Sequence, residues 1–308
     1  MNPLPYTPIS FIIISYNRPQ DTAIAVANVL QLQNVDGYEK DIVVINNGST
    51  VAYTHFENYL QNLAASEQRL VNYHYSSENM GVARGRNLGV QMAKGNHLVF
   101  LDDDAEFEHN NVIPAILELL AKYKPDDMVK IIAFREYRTT TGQYYIAAKN
   151  RQRAQLPEFF TNFYVGSGHL IMREVFERTG LYTTEFFYGM EEYDLAYKAL
   201  DAGYHILYTA HITVLHKKSP HGRQTETTLT RWNLENKTVV AYKYLPYIYV
   251  CSHLLLWSAY FLWQSGFKAG QLLQAYKNIA AKIGNTRRQP ISGSTLRYIR
   301  SVQGRLWY

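Results

Sequence analysis

The stretch VFLDDDAEF, residues 99–107, decides the predicted fold of this chain. An apolar strand ends there in three consecutive carboxylates, Asp102, Asp103 and Asp104. Carboxylates this close repel one another, so their position at a strand end calls for a cation that offsets their charge. Along a strand, Asp102 and Asp104 project to one side and Asp103 to the other. The pattern therefore predicts a metal ion beside a ribose or a phosphate. An acidic loop that only caps a helix is the alternative.

The sequence before this stretch alternates strands with helices. Residues 9–16 (ISFIIISY) and 41–49 (DIVVINNGS) are apolar runs that end in polar turns. Helical patterns follow them at about residues 20–33 and 52–66. The strand LVNYHYS, the helix GVARGRNLGVQMAKG and the strand HLVFLDDD repeat the order. This βαβ succession predicts an α/β fold with an open, mostly parallel sheet, whose ligand lies beyond the carboxyl ends of the strands.

The sequence after Asp104 has mixed periodicity and predicts a smaller antiparallel addition, with strands near residues 128–134 and 168–172. A helix is predicted over residues 191–201, because acidic residues stand at its dipole-favoured start and Gly203 follows its end.

The segment FYVGSGHLIM, residues 163–172, is glycine-rich but lacks the GKS/T ending of a phosphate loop. Gly166 and Gly168 either permit close approach of the backbone to a substrate or form a simple strand bulge.

The composition is that of a globular protein: 308 residues, 47% hydrophobic, 14% aromatic and 19% charged. A chain of this length buries roughly three quarters of its unfolded surface, which predicts one large domain or two small ones. Disorder, collagen and disulfide scaffolds are excluded. The single cysteine, Cys251, has no intramolecular partner, and the start MNPLPYTP lacks the basic and apolar parts of a secretory signal. We therefore expect a cytoplasmic location.

The charge divides the chain into two parts. Residues 237–308 hold ten basic residues and no acidic one, whereas the rest holds 21 basic and 26 acidic residues. Residues 244–267 form an uncharged stretch, but Pro246 and polar side chains such as His253 make it a poor membrane-spanning helix. Aromatic residues beside Lys and Arg favour an interfacial segment on anionic headgroups. Aromatic helices packed on the body are the alternative. The tail has no motif that reads nucleic acid, so no such partner is expected.

A series of motifs over about residues 8–216 resembles the family 2 glycosyltransferases with the GT-A fold. In order, the motifs are ISYNRP, INNGS, NMGVARGRNLGV, LDDD as a version of Asp-x-Asp, VGSGHLIMREVFERTGLY, FFYGMEEYDLAYKALDAGY and VLHKKS. The resemblance implies transfer of a sugar from a nucleoside-diphosphate donor to a hydroxyl, with inversion and with a divalent cation, Mn²⁺ or Mg²⁺. We assign residues 1–225 to this GT-A domain and residues 226–308 to a basic, aromatic helical extension.

The resemblance assigns the last aspartate of the motif and a late histidine to the metal. Asp104 would hold the ion, which would stabilise the charge that develops on the departing diphosphate. Asp102 would face the ribose. His216 matches the metal-side histidine of the family, and an imidazole ligand favours Mn²⁺ over Mg²⁺. A strand-end histidine in an ordinary hydrogen bond is the alternative for His216.

An inverting displacement needs a base beside the acceptor hydroxyl. The segment GMEEYDL supplies Glu191, Glu192 and Asp194 at the predicted helix start. By resemblance to the ED-x-D pattern of the family, Glu192 takes the position of the base and Asp194 that of the acid that orients the segment. Glu replaces the usual Asp and Met190 follows the glycine, so Glu191 is a second candidate for the base. Acids that merely cap the helix are the alternative.

The nucleotide end is predicted at the ends of the first strands. Arg86 falls in the segment that lines the nucleotide pocket of the family, where it could contact the diphosphate or the base. Asn46 stands where the family commonly has an aspartate that accepts from the uracil N3–H. An amide oxygen still accepts, so the choice between UDP and dTDP donors stays open. The predicted nucleotide-binding residues are Ser15, Tyr16, Asn17, Asn46, Arg86, Asp102 and Asp103.

The tail indicates that the acceptor is presented at a membrane. We expect a glycan or a polyprenyl-diphosphate-linked oligosaccharide in the assembly of a bacterial surface polysaccharide, with the protein peripheral on the inner face of the plasma membrane. Two other functions compete. A sugar-nucleotide-forming nucleotidyltransferase should have a Gly-rich, basic loop after the first strand, which SYNRPQDT is not. A non-catalytic binding protein on a decayed transferase domain is favoured by Asn46 and by the Glu-Glu variant, but intact Asp102, Asp104, Glu192 and His216 argue against it.

Overall fold

The computed structural model describes residues 6–123, 128–146, 151–219 and 225–307. The strands are β1 (Thr7–Ser15), β2 (Tyr38–Asn47), β3 (Val71–Ser76), β4 (His97–Asp102), β5 (Ala105–Phe107), β6 (Val129–Arg138), β7 (Gln143–Tyr145), β8 (Glu158–Thr161), β9 (Gly168–Met172) and β10 (His205–His216). The helices before the extension are α1 (Pro19–Leu30), α2 (Thr54–Gln61), α3 (Ala65–Gln68), α4 (Gly81–Met92), α5 (Val112–Lys122), α6 (Arg151–Ala154), α7 (Arg173–Thr179) and α8 (Glu191–Asp201). The extension contains α9 (Glu226–Tyr244), α10 (Tyr247–Ser265), α11 (Ala269–Asn285) and α12 (Gly293–Ser301).

The strands form one sheet in the order β3-β2-β1-β4-β9-β6-β10-β5, with β7 paired to β6 and β8 paired to β10. Strands β3, β2, β1 and β4 run parallel to one another. Strand β9 is antiparallel to both β4 and β6, and β10 is parallel to β6. The predicted parallel succession and the predicted antiparallel addition are both confirmed, and β9 joins them into a single sheet.

Buried clusters cover both faces of the sheet. On one face, Phe11 and Ile13 of β1 pack with Val26 of α1. On the other face, Ile12 of β1 packs in a cluster that includes Phe100 of β4. Side chains alternate between the faces along a strand, and parallel strands that are buried on both faces have almost no polar positions. This is why the first strands appear in the sequence as continuous apolar runs.

The C-terminal extension shares the core of the sheet. Helix α9 begins after Thr225, whose side chain accepts a hydrogen bond from a backbone N–H of the first turn. Val239 and Tyr244 of α9 lie in the same buried cluster as Phe100. Helices α9, α10 and α11 also share a small cluster of their own. The predicted boundary after residue 225 therefore coincides with the start of a helix, while the hydrophobic core continues across it.

Most of the uncharged stretch at residues 244–267 forms α10, which is buried on one side only. Phe261 is fully buried, whereas Leu255 and Trp263 are each 69% exposed. The helix thus packs on the body, as one alternative predicted, and still presents an apolar face to solvent. Within the described ranges, none of the helices combines the length and the apolar content that a bilayer span requires.

Candidate active site

A cleft of about 550 Å³ opens where the carboxyl ends of the parallel strands meet, and this volume is typical of small-molecule sites. The strand ends supply a polar wall that includes Tyr16, Arg18, Asn47, Asp102, Asp103, Asp104, Glu136 and His216. The loop before α8, together with α8 and α9, supplies a second wall that includes Phe187, Tyr188, Glu191, Glu192, Leu229 and Trp232. The cleft lies where the βαβ succession predicts the ligand.

The three aspartates turn in two directions at the end of β4. Asp103 faces the turn after β1: its Oδ1 accepts a hydrogen bond from Arg18 Nη1 at 2.6 Å, and its Oδ2 accepts one from the Tyr16 N–H at 3.1 Å. Asp102 and Asp104 face His216 instead. The predicted split is present, but β4 ends at Asp102, so a turn rather than a continuous strand produces it.

Asp102, Asp104 and His216 form a candidate metal centre. One donor atom from each residue lies within 4.8 Å of the other two. His216 Nε2 is 3.3 Å from Asp104 Oδ1 and 3.9 Å from Asp102 Oδ2. In the neutral imidazole whose Nδ1–H faces Glu136, this buried nitrogen carries the lone pair that a metal ion would bind. Carboxylate oxygens suit Mg²⁺ and Mn²⁺, and an imidazole favours the transition metal. The residues therefore fit a divalent cation.

Glu136 orients His216 from the side away from the aspartates. The Glu136 Oε1 atom lies 2.9 Å from His216 Nδ1 and accepts a hydrogen bond from Arg138 Nε at 3.0 Å. Burial alone would lower the pKa of His216, but the carboxylates of Asp104 and Glu136 raise it to about 9. A carboxylate on the second ring nitrogen fixes the orientation of a ligand histidine, as it does in many metal sites.

Arg86 connects α4 to the start of α8 at the floor of the cleft. Its Nη1 donates to Glu192 Oε1 at 2.9 Å and to Glu191 Oε1 at 3.2 Å. Its Nη2 donates to the Gly166 carbonyl oxygen at 3.1 Å and lies 3.7 Å from Asp102 Oδ1. A Cβ at position 166 would overlap Glu192 and Arg86. Glycine at this position therefore leaves room for the ion pair.

The two glutamates differ in their access to the cleft. Glu191 is 2% exposed, and its Oε2 has no hydrogen-bond partner in the described part of the chain. Burial and the adjacent Glu192 carboxylate raise the pKa of Glu191 well above its usual range. The Glu192 side chain is 15% exposed and lines the cleft. A general base must reach the proton that it removes, so the geometry favours Glu192 over Glu191.

Asp194 lies behind the cleft and is fully buried. Its Oδ1 accepts hydrogen bonds from Lys243 Nζ and from the Tyr244 hydroxyl of α9, each at 2.8 Å. Lys198 Nζ is 3.4 Å from Oδ2. The predicted role of orienting the segment agrees with this position, whereas contact with a substrate does not. Asp194 anchors α8 to the extension.

Two of the predicted nucleotide contacts, Ser15 and Asn17, support the cleft without lining it. The buried Ser15 hydroxyl is 2.5 Å from both the Thr22 and the Tyr53 hydroxyls. Asn17, with φ of 60°, accepts a hydrogen bond from the Thr50 N–H at 2.8 Å. Both side chains are occupied in holding the turn after β1 in place, while the next residues of that turn, Tyr16 and Arg18, line the cleft.

Asn46 is a third predicted contact that the structure places outside the cleft. Its Oδ1 accepts from the Ser49 N–H at 3.1 Å, and its Nδ2 donates to the Tyr73 hydroxyl at 3.0 Å. Neighbouring residues of a strand point to opposite faces, so Asn47, rather than Asn46, lines the cleft. Of the predicted nucleotide-binding residues, those that line it are Tyr16, Arg86, Asp102 and Asp103.

Sequence reasoning missed residues on both walls of the cleft. Arg18 stands inside the ISYNRP motif, between Asn17 and Pro19, and is not among the predicted nucleotide-binding residues. Glu136 has no local signal, because its partner His216 lies 80 residues further along the chain. Trp232 lies in the predicted helical extension, for which the sequence indicates a membrane surface and not a cleft. Arg18 and Glu136 both stand close to the ends of predicted strands, whereas Trp232 does not.

Sequence comparison relates the chain to known proteins. The family described as glycosyl transferase family 2 matches residues 10–180. An uncharacterized protein of Haemophilus influenzae is 26% identical over 177 residues, which cover 56% of this chain and 91% of that protein. An uncharacterized glycosyltransferase of Rickettsia bellii is 32% identical over 119 residues, which cover 39% of this chain and 15% of that protein. The chain therefore spans only a small part of the Rickettsia protein.

Solved structures share the fold. GalNAc-T7, crystallised with UDP, GalNAc and Mn²⁺, has a TM-score of 0.57 and 18% identity, with coverage of 77% of this chain and 50% of that chain. The mannosyltransferase PcManGT from Pyrobaculum calidifontis, in complex with GDP-Man and Mn²⁺, has a TM-score of 0.57 and 16% identity. The match covers 95% of this chain and 78% of that chain. Both are glycosyltransferases, and the likeness confirms the predicted GT-A fold.

Proposed function

This chain belongs to glycosyl transferase family 2 and is a glycosyltransferase, and from that premise we propose that it moves a sugar, with inversion, from a UDP- or dTDP-sugar to a hydroxyl of a glycan or a lipid-linked oligosaccharide. One observation carries the proposal. The candidate metal centre and the cleft-lining Glu192 lie in the same cleft, on either side of Arg86. An inverting transferase needs these two functions, one at the leaving group and one at the attacking hydroxyl.

The cofactor is a divalent cation, Mn²⁺ or Mg²⁺, and Asp102, Asp104 and His216 would hold it. When bound, it stabilises the negative charge of the departing diphosphate. The two related structures named above contain Mn²⁺. Glu136 keeps His216 Nε2 turned toward the aspartates, and Arg18 neutralises Asp103, so the metal ligands are held in place before the donor arrives.

Glu192 is the proposed base. It removes the proton from the acceptor hydroxyl as that oxygen forms a bond to the anomeric carbon, and the bond from that carbon to the diphosphate oxygen breaks with both electrons leaving on the diphosphate. Arg86 holds the Glu192 carboxylate at 2.9 Å, which fixes its direction. Glu191 supports Arg86 from the buried side.

The nucleoside is proposed to lie against Tyr16 and Asn47, at the ends of β1 and β2. This end of the cleft is adjacent to Asp103, whose contact with the Tyr16 N–H fixes the turn after β1. Asn47 donates its amide to the Gly81 carbonyl oxygen at 3.1 Å, which ties β2 to the start of α4. A panel of nucleotide-sugars identifies the donor sugar and its base.

The acceptor is proposed to be presented at the inner face of the plasma membrane, in bacterial surface polysaccharide assembly. The support is the exposed face of α10 and the turn after it, with Leu255, Trp263 and Phe267 at 69%, 69% and 75% exposure. Ten basic residues and no acidic one lie between residues 237 and 308, which complements an anionic lipid surface. Apolar side chains flanked by cations are typical of proteins that bind at the interface without spanning it.

The test of the enzyme is a panel of UDP-, dTDP- and GDP-sugars incubated with the full chain and Mn²⁺, with release of nucleoside diphosphate as the readout. We expect release from one donor and none from Glu192→Gln. Mn²⁺-dependent nucleotide binding without release would indicate strict dependence on an acceptor. Absence of both binding and release would contradict the proposal and favour the non-catalytic binding protein.

The test of the membrane surface is co-sedimentation with vesicles of phosphatidylcholine containing phosphatidylglycerol. Truncation is unsuitable, because Lys243 and Tyr244 are buried against Asp194. A variant with Leu255, Trp263 and Phe267 all changed to Ser should bind at least about tenfold more weakly. The matched control changes Val51, Tyr75 and Leu156, which are exposed apolar residues elsewhere. Equal sedimentation of both variants would contradict the proposed membrane surface.

A further inference from the structure

Three aromatic side chains on the second wall of the cleft have no role in the reaction as described above. Phe187, Tyr188 and Trp232 all line the cleft, and we refer to them as the aromatic shelf. Phe187 is 52% exposed and Tyr188 is 42% exposed. The Trp232 ring centroid is 6.2 Å from that of Phe187 and 6.1 Å from that of Tyr188. Neighbouring aromatic rings that are exposed inside a polar cleft indicate a surface that a ligand covers.

The backbone under the shelf is held rigidly. The Val82 N–H donates to the Phe187 carbonyl oxygen at 3.2 Å. Asn236 Nδ2 of α9 donates to the carbonyl oxygen of Tyr188 at 3.0 Å, and Asn236 Oδ1 accepts from Lys282 Nζ of α11 at 2.8 Å. The loop is therefore fixed from α4 on one side and from the extension on the other. A fixed platform loses little conformational entropy when a ligand binds.

The shelf adjoins the proposed base. Phe187 and Tyr188 precede Glu192 by only a few residues, and both lie on the same wall of the cleft as the glutamate. The metal centre and Tyr16 belong to the strand-end wall, which is suited to the nucleoside diphosphate. Phe187 also packs against Gly81 at the start of α4, next to Asn47. The acceptor hydroxyl must lie beside the base, so the ligand of the shelf is the acceptor.

The chemistry of the shelf points to a sugar ring. A pyranose has an apolar C–H face that packs on an aromatic ring, and its hydroxyls at the edge need polar partners. Charged side chains that line the same cleft supply such partners, Glu192 and Lys218 among them. A simple alcohol or a protein hydroxyl would leave most of the aromatic area exposed. It would therefore lose the binding free energy of about 25 cal/mol for each Å² of apolar surface that a larger ligand buries.

We infer that Phe187, Tyr188 and Trp232 form the acceptor subsite and that the acceptor ends in a pyranose that stacks on them. This inference rests on the proposed function and adds the side chains that bind the terminal ring of the acceptor. It also gives the extension a second role, because Trp232 lies on α9. The extension then helps to select the acceptor and does not only bind a membrane.

The test measures nucleoside diphosphate release by the full chain in the presence of glycosides, above the release without them. The probes are the octyl and methyl glycosides of glucose, galactose, N-acetylglucosamine and rhamnose. We expect Trp232→Ala to raise the acceptor KM about tenfold, as the loss of roughly 1.4 kcal/mol of stacking would do. Trp232→Phe should retain most of the acceptor affinity. Release without a glycoside and nucleotide affinity should stay unchanged, as should all values in the control Trp307→Ala, which alters an exposed Trp outside the cleft and outside the proposed membrane surface.

Three outcomes would overturn the inference. The first is that Trp232→Ala leaves the KM for the acceptor unchanged. Weaker nucleotide binding with an unchanged acceptor KM would mean that the shelf stacks the nucleobase. A Trp232→Ala effect on octyl but not on methyl glycosides would mean that it binds the lipid chain.

A second measurement covers the case in which no glycoside stimulates release. Saturation-transfer NMR on the same methyl glycosides should show contact of the ring C–H protons with the wild-type protein and loss of that contact in Trp232→Ala. Absence of contact with the wild type would overturn the inference. Failure of the proposed function appears separately, as absence of Mn²⁺-dependent nucleotide binding in the wild type.

Discussion

Two groups of carboxylates face each other across Arg86, and they differ in how their charge is compensated. In the first group, Asp102 and Asp104 surround His216 Nε2, which makes no hydrogen bond to any described residue. In the second group, Glu191 and Glu192 both accept hydrogen bonds from the Arg86 guanidinium. The first group already has cationic neighbours in Arg18 and Arg86 but also holds an imidazole that can bind a metal ion, whereas the second has no such ligand among the described residues. In the proposed reaction, the first group stabilises the leaving group and the second removes the proton from the acceptor hydroxyl.

The largest expected effect breaks the first group. Asp104→Ala removes a ligand and leaves Asp102 as the one carboxylate of the candidate metal centre, so Mn²⁺-dependent nucleotide binding should disappear. Release of nucleoside diphosphate should fall about 10³-fold or more, because metal stabilisation of the leaving group is worth several kcal/mol. Calorimetric titration with UDP and Mn²⁺ measures the first quantity. Glu106→Gln, a substitution of a partly exposed acid nearby, is the control. Retained Mn²⁺ dependence in Asp104→Ala would show that the metal lies elsewhere.

The second prediction separates the members of the glutamate pair. Glu192→Gln should lower the transfer rate by about 10²–10⁴-fold, as expected for loss of a general base, with donor affinity near wild type. Glu191→Gln should have a smaller effect on the rate, because its side chain is more deeply buried than that of Glu192. Steady-state kinetics of both variants give the two transfer rates and show which glutamate matters more for the reaction. The opposite ranking would make Glu191 the base.

The third prediction tests whether the glutamate group depends on the extension. Lys243→Met removes the charged one of the two α9 donors to the buried Asp194, while Tyr244 remains, and should lower the free energy of unfolding by about 2 to 3 kcal/mol. Urea denaturation measures this change, with the exposed Lys277→Met as control. A variant as stable as the control would show that α8 is anchored without this ion pair.

The fourth and smallest effect concerns the support of the first group. Glu136→Ala should weaken Mn²⁺ binding about 10- to 100-fold, because His216 loses the carboxylate that orients its ring. Glu136→Gln keeps an oxygen that can accept from Nδ1–H and should lose less. Electron paramagnetic resonance of free Mn²⁺ gives both affinities. Equal affinity in Glu136→Ala and wild type would remove Glu136 from the metal centre.

Much of the fold could be predicted from local patterns. The helix predicted over residues 191–201 matches α8, and the strand near residues 168–172 matches β9. Acidic residues at the start of α8 and a glycine after its end are signals within the segment itself. The strand order could not be read in this way, because β9 enters between β4 and β6 through pairings with residues distant in the sequence.

The candidate site could be predicted in part. Asp102, Asp104, Glu192 and His216 follow strand ends or begin a helix, and such positions converge at one edge of a sheet. Asn46 was placed in the cleft on resemblance, and the structure turns it away because neighbouring strand residues point to opposite faces.

The sequence by itself determined the succession of strands and helices, the carboxylates at the end of β4 and the acids at the start of α8. Hydrophobic periodicity and turn chemistry are local, so they are written in consecutive residues. Only the tertiary structure decided that Arg86 pairs with glutamates 105 and 106 residues away, that Glu136 holds His216, and that Trp232 of the extension reaches the cleft. Those contacts arise from the packing of distant elements on a shared core, and no spacing along the chain specifies them.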